Sequence, residues 1–179
     1  MLLYITAMTH LYFIRHGLSQ LNVEGKVAGI TDTPLTETGK QQASTAGKNA
    51  KNLGIEHIIS SPLSRAFDTA KIIAKEINYP VDKIEVNPLF IERSFGEMEA
   101  KPYSPDMNYD GVLGAEELSS LLTRAEQAIK YLHTLPYNKI LVVSHGSTGR
   151  ALRHHLDADK PFHFPKRFAN AELVEWIIT

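Results

Sequence analysis

The chain has 179 residues, of which 43% are hydrophobic and 22% charged, with 19 lysines and arginines against 20 aspartates and glutamates. This length predicts a single domain over residues 1–179. The near-neutral balance argues against nucleic acid or a membrane as a partner, because both demand a broad basic surface. The lack of cysteine excludes disulfides and thiolate metal sites.

The first ten residues, MLLYITAMTH, are apolar, but they carry no basic cluster and are too short to span a bilayer. They make a poor signal peptide, so the default expectation is a cytoplasmic protein. Met8 offers an alternative start, and the sequence leaves open whether residues 1–7 are native.

Short apolar runs alternate along the chain with longer segments of helical period. The runs predict strands at residues 10–15, 55–60, 84–89, 139–144 and 172–178. The longer segments predict helices at residues 36–54, 61–77, 115–134 and 145–156. Thr36 is the predicted N-cap of the first helix, which Gly54 closes. Ser61 is the predicted N-cap of the second helix, with Pro62 at its first position.

This alternation defines the predicted fold class. Strands that are apolar along nearly their whole length, each followed by a helix, are typical of a parallel sheet covered on both faces. We therefore expect an α/β fold, a three-layer α/β/α sandwich with a mostly parallel central sheet. In such sheets ligands bind at the carboxyl ends of the strands.

Basic side chains stand at three of those strand ends. The first strand ends in Arg15 and His16, the second runs through SSPLS into Arg65, and the strand at 139–144 is followed by His145. A glycine after each histidine permits a tight turn and lets a ligand approach the backbone. The helices that begin beside Arg65 and at Gly146 would turn their positive ends to the same place. The pattern predicts a phosphate-binding site.

With these residues in view, the chain resembles the histidine phosphatase superfamily, also called phosphoglycerate mutase-like. The motifs that carry the resemblance are IRHGLSQLN (14–22), AGITDTPLTETGKQQA (28–43), SSPLSRAFDTA (60–70), ERSFGEMEA (92–100), VVSHGSTGRAL (142–152) and NAEL (170–173). They occur in the family's order and cover nearly the whole chain. The resemblance implies the phosphoglycerate mutase-like form of the α/β/α sandwich.

The resemblance also implies roles for the positions that match. His16 is the implied nucleophile, which takes the phosphoryl group onto a ring nitrogen. Arg15, Arg65 and His145 are implied to surround the transferring group. Asn22 is implied to hydrogen-bond one of its oxygens.

The implied general acid is Glu92, which would protonate the leaving oxygen and later activate water. Glu97 and Glu99 are nearby alternatives, and Glu92 is preferred because it stands where the family keeps its acid, before FGEME. Gly146, at the start of the last helix, completes the predicted phosphate contacts.

The same residues suit phosphoryl transfer on chemical grounds. This reaction depends on positioning and on neutralising the charge of the phosphoryl oxygens, which guanidinium groups bind in pairs. A histidine, with a reference pKa of about 6.5, can be neutral and nucleophilic near pH 7. These groups make a divalent metal unnecessary, so we predict no metal site and no cofactor.

A short segment, residues 93–114, is the predicted cap over the site. Its charged residues are Arg93 and Lys101 against Glu97, Glu99, Asp106 and Asp110, an excess of two negative charges. We expect this excess to repel a substrate with a second anionic group. Aromatic and methionine side chains in the segment favour a monoester whose alcohol part is uncharged or partly apolar.

The predicted function is therefore a metal-independent phosphomonoesterase that acts on a small phosphorylated metabolite through a phosphohistidine intermediate. Two alternatives stay open: phosphoryl transfer of the phosphoglycerate mutase type, and a phosphate-binding module that has lost turnover. The sequence indicates neither the physiological substrate nor the oligomeric state.

Overall fold

A computed structural model describes residues 8–104 and 107–179, in which helices surround a five-stranded sheet. The strands are β1 (Thr9–Arg15), β2 (His57–Ser60), β3 (Glu85–Val86), β4 (Lys139–Ser144) and β5 (Leu173–Ile178). The α-helices are α1 (Gln20–Val23), α2 (Glu37–Ala50), α3 (Ser64–Glu76), α4 (Leu118–His133) and α5 (Gly146–Leu156). Short 3₁₀ turns cover residues 81–83, 88–90 and 96–98. Asp106, which was counted in the predicted cap, and residues 1–7 lie outside the described residues.

The order of the strands across the sheet is β3-β2-β4-β1-β5. Every neighbouring pair is parallel except β1 and β5, which run antiparallel. The predicted α/β fold with a mostly parallel central sheet is confirmed. Over the described ranges, no helix is both long enough and apolar enough to cross a bilayer.

The two faces of the sheet bury alternate side chains of each strand, as the pleat requires. Leu11 and Phe13 of β1 pack into the cluster formed with α4 and α5. Tyr12 and Ile14 point to the other face and join the cluster that contains α3 and one residue of α2, Ala46. Each face therefore has its own apolar core, and the helices form the two outer layers.

The cap of α2 is confirmed, but two predicted helix ends are wrong. The Oγ1 atom of Thr36 accepts a hydrogen bond from the N–H of Gly39 at 3.0 Å. The helix then ends at Ala50, and Gly54 takes a left-handed conformation (φ 71°) in the turn that leads to β2.

The helix predicted at residues 61–77 corresponds to α3. It starts at Ser64, with Leu63 rather than Ser61 as its N-cap. Ser61 still belongs to the end of the sheet, because its N–H donates to the carbonyl of Val143 at 3.0 Å. Pro62 consequently lies before the helix and not at its first position.

Candidate active site

The register of the sheet brings the predicted site residues together. Arg15, the last residue of β1, is paired with Ser144, the last residue of β4. The N–H of His16 then donates to the carbonyl of Ser144 at 2.9 Å, so the residues that follow the two strands are neighbours. The rings of His16 and His145 lie 5.1 Å apart between centroids, at an angle of 59°.

His16 is buried, with 3% of its surface exposed. Its Nδ1 atom lies 2.7 Å from the carbonyl oxygen of Gly17, and its Nε2 atom receives a hydrogen bond from Nε of Arg65 at 3.2 Å. Burial holds the pKa of His16 well below its usual value, and the charges of Arg65 and Arg15 lower it further. The ring is therefore neutral near pH 7, with its proton on Nδ1 and the lone pair of Nε2 directed toward Arg65.

Arg65 is held in place by the loop that follows α1. Its Nη1 and Nη2 atoms donate to the carbonyl oxygens of Thr31 and Gly29, at 3.0 and 2.6 Å. The side chain is 1% exposed, so its guanidinium cannot swing into solvent without breaking these bonds. The result is a fixed cation in contact with the nitrogen of His16 that carries the lone pair.

His145 is fully buried beside Ser61, whose Oγ atom lies 2.7 Å from Nε2 of the ring. Burial keeps the pKa of His145 well below its usual value, and Arg65, His16 and Arg15 add to the effect. The ring is therefore neutral near pH 7. Ser61, which was expected to cap a helix, instead orients this imidazole.

Two buried polar atoms beside these histidines have no hydrogen-bond partner among the described residues. They are Nε of Arg15 and Nδ1 of His145. The Nη1 atom of Arg15 is anchored on the carbonyl of Phe168 at 2.8 Å, which fixes the guanidinium. Buried polar groups are almost always paired, so two unpaired atoms at one strand edge indicate a place for a polar ligand.

Glu92 closes the site on the side of α5. One carboxylate oxygen accepts hydrogen bonds from the N–H groups of Arg93 and Thr148, at 2.9 and 3.1 Å. The other oxygen accepts from the N–H of Ser147 at 3.2 Å. A Cβ atom on Gly146 would stand 3.8 Å from Nε of Arg15 and 3.9 Å from Oε2 of Glu92, so Gly146 separates the two groups.

The helix N-termini contribute less to the site than expected. At α5, two N–H groups of the first turn are taken by Glu92, as described above. At α3, the N–H of Ser64 is taken by the carboxylate of Asp32 at 2.9 Å, and the N–H of Leu63 donates to Ser61. The positive charge of the site comes mainly from side chains.

Asn22 lines the same cavity as Arg15 and His16. Its Oδ1 atom accepts a hydrogen bond at 3.4 Å from Asn170, whose Nδ2 atom also donates to the carbonyl of His16 at 3.0 Å. Because its oxygen is used inside the protein, Asn22 offers its N–H₂ group to the cavity. Sequence reasoning quoted Asn170 in the NAEL motif without giving it this role.

The cavity has a volume of about 1,100 Å³ and is rich in cations. Its lining among the described residues includes six basic side chains, Arg15, Lys26, Arg65, Arg93, Arg150 and Arg167, and two carboxylates, Glu92 and Asp110. Gly146 and Asn22 also line it, whereas His145, whose ring lies 5.1 Å from that of His16, does not.

Arg150 is the main cavity residue that sequence reasoning missed. It donates to the Oγ atom of Ser147 at 3.2 Å and lies over the ring of Phe162 at 4.4 Å. The signal was its spacing of four residues from Gly146, which puts both on one face of α5. Phe162 could not be placed in advance, because it arrives from the irregular segment between α5 and β5.

The fold is phosphoglycerate mutase-like: at one edge of a mostly parallel sheet, one imidazole, two guanidiniums and a carboxylate line a single cavity, and a second imidazole lies beside the first. The chain belongs to the histidine phosphatase superfamily (branch 1), whose family model matches residues 11–178. Members of this superfamily are enzymes, and the names of the relatives include both phosphatases and mutases.

Two relatives and two solved structures illustrate this range. The uncharacterized phosphatase PhoE of Bacillus subtilis is 32% identical over 92% of this chain and 86% of its own length. The protein named "Probable phosphoglycerate mutase GpmB" in Salmonella paratyphi A is 37% identical over 78% of this chain and 70% of its own. The phosphoglycerate mutase of Bacillus anthracis has the same fold (TM-score 0.83, 23% identity, 97% of this chain and 90% of that one). A mycobacterial glucosyl-3-phosphoglycerate phosphatase also has this fold (TM-score 0.79, 22% identity, 93% of this chain and 92% of that one).

Proposed function

We propose that this protein is a phosphomonoester hydrolase that forms a phosphohistidine on Nε2 of His16. The observation that carries the proposal is the contact between Arg65 and Nε2 of His16, next to the unpaired buried atoms of Arg15 and His145. A phosphoryl group at this position would receive hydrogen bonds from Arg15 and from Asn22, both of which line the cavity. The phosphatase name of the Bacillus subtilis relative supports the same class.

In the proposed first step Nε of Arg65 gives up its hydrogen bond to Nε2 of His16 for one to a phosphoryl oxygen, and the freed lone pair attacks phosphorus. The N–P bond forms as the ester P–O bond breaks, and the leaving alcohol oxygen takes a proton from Glu92. In the second step a water attacks the phosphohistidine and gives a proton back to Glu92, while the P–N electron pair returns to His16. Dividing hydrolysis into two displacements lowers the barrier of each. Arg15 and Arg65 neutralise the phosphoryl oxygens throughout, so the proposal requires neither a metal nor a cofactor.

The contacts of residues 93–114 support a different proposal about a second anionic group on the substrate. Within residues 93–114, Arg93 donates to Asp110 at 2.5 Å, and Glu99 accepts hydrogen bonds from backbone N–H groups. These carboxylates are occupied, so the excess negative charge of the segment does not describe the cavity. Even with Arg93 paired to Asp110 and Lys26 to Glu24, the lining keeps more guanidiniums than carboxylates and would attract a second anionic group.

We therefore extend the proposal to a phosphomonoester of a small metabolite that bears another anionic group near Arg150. Over the described ranges no carboxylate is within ion-pair distance of Arg150, although its guanidinium lines the cavity. The segment 93–114 would act as the cap, since Arg93, Phe95, Tyr103 and Met107 line the same cavity. A second anionic group is also what a phosphoglycerate mutase would bind, so mutase activity is the second candidate.

The decisive experiment is turnover of an aryl phosphate by the purified protein, with and without a chelator. We expect free phosphate in both cases, no turnover by His16→Ala, and unchanged turnover by His10→Ala, at the other end of β1. Activity that survives in H16A, or that requires magnesium, would contradict the mechanism.

Incubation with a phosphoglycerate separates the two activities, because a mutase yields an isomerised product and a phosphatase yields free phosphate. Binding of phosphate without any turnover would indicate a silent binding module.

A further inference from the structure

Glu99 makes an unusual set of contacts next to the site. Its Oε1 atom accepts hydrogen bonds from the N–H groups of Ile30 and Phe95, both at 3.0 Å. Its Oε2 atom accepts from the N–H of Thr31 at 2.8 Å and from the hydroxyl of Thr31 at 2.5 Å. One carboxylate therefore ties residues 30–31 to the segment that begins at residue 93.

The same loop binds Arg65 from its other side. The peptide group between Gly29 and Ile30 gives its N–H to Glu99 and its carbonyl oxygen to Nη2 of Arg65, at 3.0 and 2.6 Å. The carbonyl of Thr31, two residues after Gly29, accepts a hydrogen bond from Nη1 of Arg65 at 3.0 Å. A single peptide plane thus connects the two side chains, and a hydrogen bond on one side of such a group strengthens the bond on the other.

The backbone is built for this close approach. Gly29 takes a left-handed conformation (φ 55°), and a Cβ atom there would stand 2.2 Å from Oε1 of Glu99. Only glycine lets the carboxylate lie against this peptide. Charge also favours this arrangement. Burial lowers the pKa of Arg65, whereas the negative charges of Glu92, Asp32 and Glu99 raise it and so favour the charged guanidinium.

We infer that Glu99 is a positioning residue, which fixes the 29–31 loop so that the guanidinium of Arg65 stays beside Nε2 of His16, where it can pass from the ring to a phosphoryl oxygen. The inference deepens the proposed function and depends on it for its kinetic consequence. Glu99 touches no reacting atom and acts through Arg65. Without it the two carbonyls would no longer hold the guanidinium, and the cation would lose its fixed distance from the nucleophile.

The kinetic test is a double-mutant cycle with Arg65. We expect Glu99→Gln to lower kcat/KM roughly tenfold, because small displacements of a catalytic group are costly. In the background of Arg65→Lys, which cannot bridge both carbonyls, E99Q should cost less than twofold. Glu97→Gln, an exposed carboxylate two residues earlier, is the matched control and should leave kcat/KM unchanged. Equal losses from E99Q in both backgrounds would overturn the inference.

A readout without turnover separates this inference from the proposed function. Because Arg65 lowers the pKa of His16, loosening Arg65 should raise that pKa, which NMR of the ring follows directly. We expect a rise in E99Q, a smaller rise in Thr31→Val, and none in E97Q. If E99Q does not fold, T31V decides the matter. A pKa of His16 that does not move in E99Q, or in T31V when E99Q is unfolded, overturns the inference whether or not the protein hydrolyses phosphate.

Discussion

The Nε atom of Arg65 donates a hydrogen bond to Nε2 of His16 across 3.2 Å, although both side chains can be cations. The contact is stable because His16 is buried and neutral, so the guanidinium meets a lone pair and not a second charge. The same guanidinium lies where it can receive an anionic oxygen as phosphorus approaches Nε2. Arg65, which after burial is the main cause of the lowered pKa of His16, would thus also neutralise the group that the histidine attacks.

A first prediction concerns the pH dependence of turnover. Attack requires neutral His16, so kcat/KM falls as the pH drops through the pKa of His16 in the free enzyme. Arg65→Gln removes a charge that lowers this pKa, and the acid limb should move to higher pH. Arg15→Gln should move the acid limb in the same direction but less far, because Arg15 lowers the pKa of His16 less than Arg65 does. The measurement is kcat/KM against pH with one substrate for all variants, and a limb that stays in place would contradict the argument.

Stability should also depend on pH through the two buried histidines. Their pKa values are about 6.5 in the unfolded chain and lie well below this in the folded protein. Below pH 6.5 the unfolded state therefore binds more protons, and the free energy of unfolding decreases as the pH falls. Each histidine contributes up to about 1.4 kcal/mol per pH unit between its folded and unfolded pKa values.

Urea denaturation between pH 5 and 7 measures this effect. His145→Gln should flatten the dependence by about one histidine's contribution, whereas His133→Gln, on the exposed surface of α4, controls for the mere loss of a histidine. A dependence that is as steep in H145Q as in the unchanged protein would show that His145 is not the source.

A third prediction tests the second anionic group. Arg150→Gln should raise KM about 10- to 100-fold for a phosphoester that carries a carboxylate, since a hydrogen bond to a charged group contributes about 1.5–3 kcal/mol. It should change KM less than twofold for a phosphoester of an uncharged alcohol. Lys130→Gln, on the outer face of α4, is a control for the loss of one positive charge. Equal effects on the two substrates would place the second group elsewhere.

The sequence predicted the meeting of His16 and His145 because a parallel sheet places all its strand ends at one edge. Each histidine could be located from its position directly after an apolar strand, without knowledge of any long-range contact. The cap of α2 was predictable for a similar reason, since Thr36 bonds to Gly39 within one turn.

What the sequence did not predict depends on contacts between distant segments. Ser61 followed by proline is a good helix start locally, but a carbonyl of β4 and the ring of His145 bind it instead. The charge count over residues 93–114 did not include the pairing of Asp110 with Arg93 or the contact of Glu99 with the 29–31 loop. A count of formal charges along a segment contains no information about such pairing.

The last prediction concerns Glu92 and the leaving group. An alkyl phosphate releases a strongly basic oxygen that needs a proton, whereas a nitrophenyl phosphate releases a stable anion that does not. Glu92→Gln should therefore slow the first step roughly 10²–10⁴-fold for the alkyl ester and far less for the aryl ester.

Hydrolysis of the phosphohistidine still needs the carboxylate of Glu92 as a base. With the aryl ester, E92Q should then accumulate a covalent phosphoryl group, visible by intact mass and absent when His16→Ala is added. The midpoint of thermal unfolding of E92Q controls for any loss of stability caused by the lost hydrogen bonds from Ser147 and Thr148. Equal losses on both esters, with no phosphorylated protein, would show that Glu92 is not the general acid.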